Sequence, residues 1–397
     1  MISAASRPYI DASVPVLREH GLTITTLFYK NMLAEHPELT RVFNMGNQAR
    51  GAQQQSLASA VFAYAANIGT PEALGPVVKR IVHKHVSVGI RAEHYPIVGK
   101  HLLAAIKETL GDAATQPLID AWAEAYGSLA NLLVAAEAEL YSTAGVQPGE
   151  TRPMRVTEVK RESDNVLSIR FVPADDKPLP PFHAGQYVSV AVDLPDGRHQ
   201  LRQYSLSDAA GKDSLRISVK REDALDVAPA GEVSNWIHAN VKEGSVLQVT
   251  HPFGEFTPDT ESDAPIVLLS AGVGITPMVS ALNRIAMVNP QRQVIFAYAA
   301  RDARHHPLQD DVAAAQAAMP NLHVVTFHED VGDAAGVLAG RMDIARLPAW
   351  DREQADVWLC GPLKFMQAQW LALLDAGVPA ARLHREVFGP DMLDHLL

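Results

Sequence analysis

Hydrophobic positions change their period twice along this chain. Up to about residue 141 they recur at helical steps. Ala114 to Tyr141 places Leu118, Trp122, Tyr126, Leu129, Leu133 and Leu140 at intervals of three, four and seven, which makes one helix face apolar. Gln53 to Ala66 and Tyr95 to Leu110 show the same spacing. Residues Ser142 to Gly149 then bring small residues, two glycines and a proline, which predict a linker over 142–151. Beyond Arg152 the runs are short and β-branched or alternating: Met154–Val159, Val166–Val172, Gln186–Val192, Leu215–Lys220 and Ser245–Thr250, separated by turns such as Asp196-Gly197. That texture predicts an antiparallel β-barrel. From Pro265 the apolar runs Ile266–Leu269, Val294–Tyr298, Leu322–Thr326 and Val357–Leu359 alternate with helical stretches, the pattern of a parallel sheet. The expected organisation is therefore an all-α domain over 1–141, a β-barrel over 152–260 and an α/β domain over 261–397.

Composition narrows the class without changing this division. At 397 residues, 47% hydrophobic and 20% charged, the chain can bury several cores and reads as a soluble globular protein. A net charge of −11 argues against a nucleic-acid-binding surface. Cys360 is the sole cysteine, so no internal disulfide calls for an oxidising compartment. The N-terminal residues lack a signal-peptide pattern, and the longest apolar run, Ile266–Leu269 continuing to Ile275, is too short and glycine-rich to span a bilayer. A cytoplasmic protein with small-molecule partners and no stable membrane association is expected. Nothing legible sets an oligomeric state, and a monomer is compatible with the pattern.

The helical region contains His83, His85, His94 and His101. His83 and His85 lie two apart, roughly 200° around a helix, so only one can face a given ligand. Val82, Val86 and Gly89 give the His85 side an apolar, open surface, whereas His83 has Lys79, Arg80 and Lys84 nearby. Tyr95 follows His85 by ten residues. Upstream stand Leu27-Phe28-Tyr29, Val42-Phe43-Asn44-Met45, and Gln53 with Leu57, an i, i+4 pair on one helix face. Taken in this order and spacing, these residues resemble a flavohaemoglobin. The resemblance implies haem b, its iron ligated by His85 and its other axial position open to gas. It implies Tyr95 and Glu137 as partners of the second ring nitrogen, the carboxylate giving the imidazole imidazolate character and favouring dioxygen activation over storage. Glu139 lies two residues further and so on a different face; the register of the resemblance selects Glu137. Tyr29 is implied as a hydrogen-bond donor over the distal site with Gln53 assisting, Leu57 as a restriction on access, Phe43 as packing on the haem face, and Lys84 as a redox-tuning residue.

Arg202-Gln203-Tyr204-Ser205 resembles the flavin motif of the ferredoxin reductase superfamily. Its chemistry suits FAD: a guanidinium fork for the pyrophosphate, an aromatic face for the isoalloxazine and a hydroxyl near the reactive nitrogen. Gly185-Gln186-Tyr187 precedes it. Gly231-Glu232-Val233-Ser234 follows and opens a helix, expected over Asn235–Asn240, whose free N–H groups suit a phosphate. Gly272-Val273-Gly274-Ile275-Thr276-Pro277 lies between a strand and a helix expected over Met278–Val288, the arrangement of a dinucleotide phosphate site. It departs from G-x-G-x-x-G at Pro277, which a first helical turn accepts, and so points to the reductases rather than the dehydrogenases. Cys360-Gly361-Pro362 precedes another helix, Leu363–Leu374; the resemblance puts this turn beside the nicotinamide, while Cys360 alone could equally be apolar filling. The tail Arg385-Glu386-Val387-Phe388-Gly389-Pro390 resembles the family's closing segment. The resemblance implies Val387, Phe388, Gly389 and Pro390 against the cofactor and Glu386 as a redox-tuning residue. Arg385 and Val387 stand where many relatives carry tyrosine and cysteine, and Tyr298 where histidine is usual.

The resemblance covers Tyr9 to Pro390, and its specific signal is the order of a globin, a flavin barrel and a nucleotide domain in one polypeptide. It implies a nitric oxide dioxygenase: NADH or NADPH electrons pass through FAD to haem, whose bound dioxygen oxidises nitric oxide to nitrate. No arginine-rich 2′-phosphate pocket is legible, which favours NADH. A haem-linked reductase acting on peroxides and a non-enzymatic gas sensor are the other readings. The flavin and nucleotide motifs speak against the sensor, since sensing needs no electron supply.

Overall fold

The computed structural model describes residues 2–175, 177–224, 229–332 and 335–389; Pro390 of the closing segment lies outside them. The chain forms two compact units. One is Met1–Glu150 with Asp193–Arg202 and the tail from Gly389; the other is Thr151–Val192 with Gln203–Phe388. No described helix is long and apolar enough to cross a membrane.

The first unit is helical: α1 (Arg7–Glu35), α2 (Met45–Ala49), α3 (Ala52–Ala66), α4 (Pro71–Ser87), α5 (His94–Leu110) and α6 (Gln116–Ala144). On α1, Ile10, Leu17, Ile24, Phe28 and Met32 fall on one face and are buried against Phe62 of α3, Ile106 of α5 and Trp122 of α6. Burial of each such side chain contributes about 1.5–3 kcal/mol before the entropy cost. The Thr25 hydroxyl of α1 donates to the Gln54 carbonyl of α3 at 2.8 Å. α6 runs three residues into the expected linker. It ends where Gly145 adopts φ 67°, and the Val146 N–H returns to the Tyr141 carbonyl at 3.1 Å. The sequence hid this because Ser142, Thr143 and Ala144 are small but not helix breakers. Only Gly145 to Glu150 separate α6 from the first strand.

The barrel region, most of it in the second unit, comprises β1 (Thr151–Arg161), β2 (Val166–Pro173), β3 (Tyr187–Asp193), β4 (His199–Ser205), β5 (Leu215–Lys220), α7 (Glu232–Asn240) and β6 (Val246–Thr250). These strands make one six-stranded sheet in the order β4-β3-β6-β1-β2-β5, and its pairings are antiparallel. A bridge between Leu206 and Ile217 joins the end of β4 to β5 and closes the sheet into the expected barrel. β4 was not among the expected runs, since its one fully buried early position is polar, Gln200.

Next come β7 (Ile266–Ala271), α8 (Ile275–Val288), β8 (Val294–Ala300), α9 (Gln309–Ala318), β9 (Leu322–His328), β10 (Leu338–Ala339), β11 (Asp356–Cys360), α10 (Leu363–Asp375) and β12 (Leu383–Glu386). They form a six-stranded parallel sheet in the order β10-β9-β8-β7-β11-β12. Ile266 and Leu268 of β7 point into one core with α8, and Val267 and Leu269 into another with Leu373 of α10. Burial on both faces explains why these strands read as continuous apolar runs. β10 and β12 were missed because they are edge strands of two and four residues. The strand order reverses at β7, which makes the β7–β11 edge a topological switch point.

A polar network fastens the barrel to the parallel-sheet layer. Buried Asp208 receives Arg170 at 3.1 Å, Lys212 at 2.7 Å and Asn283 of α8 at 3.0 Å. Asn283 also donates to Asp311 at 2.7 Å, and Asp311 takes a two-pronged bond from Arg216 of β5 at 2.8 and 3.1 Å. Burial by itself would raise the Asp208 pKa. The Arg216 charge and the bonds from Lys212, the Ala209 N–H and Asn283 overcome that and hold it at about 2. The folded pKa is depressed, so the stabilisation is present above the ordinary carboxylate range and disappears as pH falls towards 2. We predict that Asp208→Asn lowers the stability of this unit by about 2 kcal/mol at pH 7. The gap from the parent should narrow as pH drops from about 4 towards 2, read from urea midpoints.

Candidate functional site

On the helical unit, α4 presents His85 and α6 presents Glu137. His85 Nδ1 lies 2.8 Å from Glu137 Oε1 and 3.1 Å from the Tyr95 hydroxyl, and that hydroxyl lies 2.5 Å from the same carboxylate oxygen. Glu137 is 3% exposed, while Glu139 is exposed. Burial, then the Glu137 carboxylate, pushes the Tyr95 pKa far above its ordinary value, so its hydroxyl stays protonated. It spends that proton on Glu137. The His85 Nδ1 must then carry a hydrogen and donate it to the carboxylate as well, which fixes the tautomer with the Nε2 lone pair free. Nε2 has no partner among the described residues, and the His85 side chain is 34% exposed. A pinned imidazole with one bare nitrogen is the donor that haem iron requires.

Sequence reasoning missed the residues that hold this arrangement. Tyr126 donates to the Tyr95 carbonyl at 2.6 Å, and Gly99 lets its ring approach, since a Cβ there would stand 2.6 Å from the ring. Tyr141 donates to the Ile90 carbonyl at 2.9 Å, just past the end of α4. Their helical spacing marked Tyr126 only as core, and nothing in a sequence tells which tyrosine hydroxyl meets which carbonyl.

Tyr29 of α1 is buried, hydrogen-bonded to Gln53 of α3, and set edge-on to Phe43 with ring centroids 5.6 Å apart. Burial outweighs the Gln53 bond and raises the Tyr29 pKa well above its usual value, so it too remains a donor. Leu57 and Phe43 are half-buried at the margin of the same core. The Lys84 ammonium donates to the Gly389 carbonyl at 2.8 Å. His83 is half-buried.

In the second unit the flavin motif lies on β4. Gln203 is exposed, Tyr204 half-buried and Ser205 buried. Ser205 Oγ is a buried hydroxyl with no hydrogen-bond partner among the described residues, a polar atom that suits a bound flavin. Arg202, grouped with the helical unit, bonds Gln200 Oε1 at 3.0 Å and the Leu201 carbonyl at 2.7 Å. Gln186 accepts from the His183 N–H at 2.8 Å, and its own carbonyl accepts from the Leu206 N–H at 2.9 Å. Tyr187 exchanges backbone bonds with Phe253. α7 begins at Glu232, three residues earlier than expected, so Val233 and Ser234 form its first turn and Gly231 its cap, with no side-chain capping bond. The Ser234 hydroxyl is engaged locally, donating to the Gly231 carbonyl at 3.1 Å.

The two nucleotide motifs meet at the switch point. A Cβ on Gly274 would lie 2.3 Å from the Cys360 carbonyl oxygen and 2.7 Å from the Gly361 nitrogen, so glycine is required for the two turns to touch. Gly272 and Val273 form a single helical turn before α8, which starts at Ile275 and carries Thr276 and Pro277 in its first turn. The Thr276 hydroxyl donates to the Val273 carbonyl at 3.0 Å. Cys360 is fully buried at the end of β11, opposite Glu386 of β12, and Pro362 caps α10. Glu386 is 3% exposed and receives the Val387 N–H at 2.8 Å, while Phe388 is 45% exposed. Tyr298 is fully buried and stacks on His306, ring centroids 4.4 Å apart.

The globin family profile matches residues 26–133, that of oxidoreductase FAD-binding domains 153–257, and that of oxidoreductase NAD-binding domains 268–370. Fold and site thus define a globin joined to a flavin- and nicotinamide-binding oxidoreductase module. The flavohemoprotein of Bordetella parapertussis is 49% identical over 98% of this chain and 99% of its own, and that of Rhizobium meliloti 44% over 99% of both. The chain belongs to the flavohaemoprotein family. Among solved structures it resembles the Malassezia yamatoensis flavohemoglobin with bound FAD and heme, with a TM-score of 0.87 and 30% identity over 98% of this chain and all of that one. It also resembles the flavohem-like FAD/NAD-binding domain of nitric oxide dioxygenase from Vibrio cholerae, with a TM-score of 0.57 and 37% identity over 61% of this chain and all of that one.

Two histidine variants check the site's register. His85→Ala should abolish five-coordinate haem ligation while NADH still reduces the flavin, and His83→Ala should leave both largely intact. Absorption spectra and stopped-flow flavin reduction read the two outcomes; the reverse pattern would mean that α4 is in the wrong register.

Proposed function

We propose that the chain is a nitric oxide dioxygenase that uses NADH, FAD and haem b. The observation that supports this most is the buried Glu137 carboxylate on His85 Nδ1, an arrangement suited to activating dioxygen rather than storing it. When bound, haem supplies dioxygen binding and oxidising power, and FAD splits the two nicotinamide electrons into single steps. The overall balance is two nitric oxide, two dioxygen and one NADH giving two nitrate, NAD⁺ and one proton.

The side chains divide the work. His85 ligates the iron through Nε2, and Glu137 and Tyr95 orient it. Tyr29, kept protonated by burial and held by Gln53, donates a hydrogen bond on the distal side; Leu57 narrows the approach and Phe43 packs on the porphyrin. Gln186, Tyr187, Arg202, Gln203, Tyr204, Ser205 and the α7 N-terminus with Gly231, Val233 and Ser234 take FAD. Gly272 to Pro277 take the nicotinamide dinucleotide phosphates, and Cys360, Gly361 and Pro362 border the nicotinamide at the switch point. Lys84 and Glu386 tune redox behaviour, and Val387, Phe388 and Gly389 close the cofactor side. Dioxygen and nitric oxide are the gaseous ligands.

Nitric oxide consumption under air with NADH tests the activity. One nitrate per nitric oxide supports it. NADH oxidation that responds to peroxide but not nitric oxide favours a haem-linked reductase, and no turnover with either favours a sensor. Tyr29→Phe should retain haem but speed dioxygen dissociation about ten- to a hundredfold, the worth of one hydrogen bond to a charged acceptor. Stopped-flow off-rates measure this, and an unchanged rate removes Tyr29 from the distal site.

A further inference from the structure

Glu35, His36 and His101 come together at the far end of α1, apart from the residues assigned above. Glu35 is the last residue of α1, and His36 leaves the helix with φ −127°. His101 sits mid-way along α5. One ligand atom from each lies within 4.8 Å of the other two. The two imidazoles meet edge to face, centroids 5.6 Å apart at 86°. Two imidazoles and a carboxylate thus stand nearly converged where the end of α1 meets α5.

A second observation points the same way. His101 is 4% exposed, yet its Nε2 has no hydrogen-bond partner among the described residues; the Glu35 carboxylate stands off at 3.5 Å. A buried polar atom left bare costs about 1–3 kcal/mol. This nitrogen faces the 57% exposed side chain of Glu35. Two neighbours compete for the cluster: Lys100 donates to Glu35 at 3.0 Å, and His36 Nδ1 lies 3.1 Å from Glu38. Both contacts are exposed pairs of little strength, which a metal ion readily displaces.

We propose that Glu35, His36 and His101 form a binding site for a divalent transition metal, zinc above all. Two imidazoles and one carboxylate are donors of the right softness for zinc, and a water completes the tetrahedron on the open side. Loading ties the C-terminal turn of α1 to α5. It is independent of the proposed catalytic reading.

The test uses the full-length, tag-free chain carrying haem and FAD, titrated with zinc chloride by calorimetry. The parent should show one stoichiometric site. His36→Ala and Glu35→Gln, both at exposed or half-exposed positions, should each weaken it at least about tenfold. Replacement of the half-exposed His20 by alanine should not. Zinc-edge absorption of the loaded parent should show two nitrogen ligands at about 2.0–2.1 Å with oxygen ligands beside them. Absence of a stoichiometric site, or unchanged affinity in His36→Ala, overturns the proposal.

Discussion

A carboxylate taken out of water has to be satisfied by its neighbours, and Glu137 organises the helical unit around that demand. It accepts from the Tyr95 hydroxyl and from His85 Nδ1, joining α6, α5 and α4 at one oxygen. Because the tyrosine has a single proton and gives it to the carboxylate, the imidazole tautomer is decided without any ligand present. The free nitrogen then points away from the carboxylate, where an iron can meet it. Tyr126 and Tyr141 reinforce this by bonding the backbone at Tyr95 and Ile90, so the His85 ring is held on both sides of its turn. Losing a partner of a buried charge costs several kcal/mol, more than any single contact of the surrounding apolar core.

The second unit depends on a close approach of backbones in place of a charge. Gly274 meets the Cys360-Gly361 turn with no room for a side chain, where the strand order reverses between β7 and β11. The same edge gathers Glu386 and Val387 at the carboxyl ends of the strands. The Asp208, Arg216, Asn283 and Asp311 network then locks the barrel against α8 and α9. The nucleotide turns and Gln203, Tyr204 and Ser205 of the flavin motif belong to this same unit.

Patterns with a fixed period were legible in the sequence. The heptad-like spacing of Leu118, Trp122 and Leu133 announced α6, and the apolar runs announced the strands buried on both faces of the parallel sheet. Short edge strands were not legible, nor was β4, whose first buried position is the polar Gln200. The site divides the same way. His85, Tyr95, Glu137 and the glycine turns could be picked out because their identities are chemically demanding and their order is distinctive. The anchoring tyrosines, the Asp208 network and the Glu35–His36–His101 cluster could not. Each joins residues far apart in the chain, by contacts of polar groups that carry no periodic signal.

The central claim is that the buried Glu137 carboxylate loads electron density onto the ligating His85. The iron–histidine stretching frequency of the ferrous, ligand-free haem, read by resonance Raman spectroscopy, reports that directly. The account predicts a clear fall in frequency in Glu137→Gln and none in Glu139→Gln. The same frequency in parent and Glu137→Gln would contradict it.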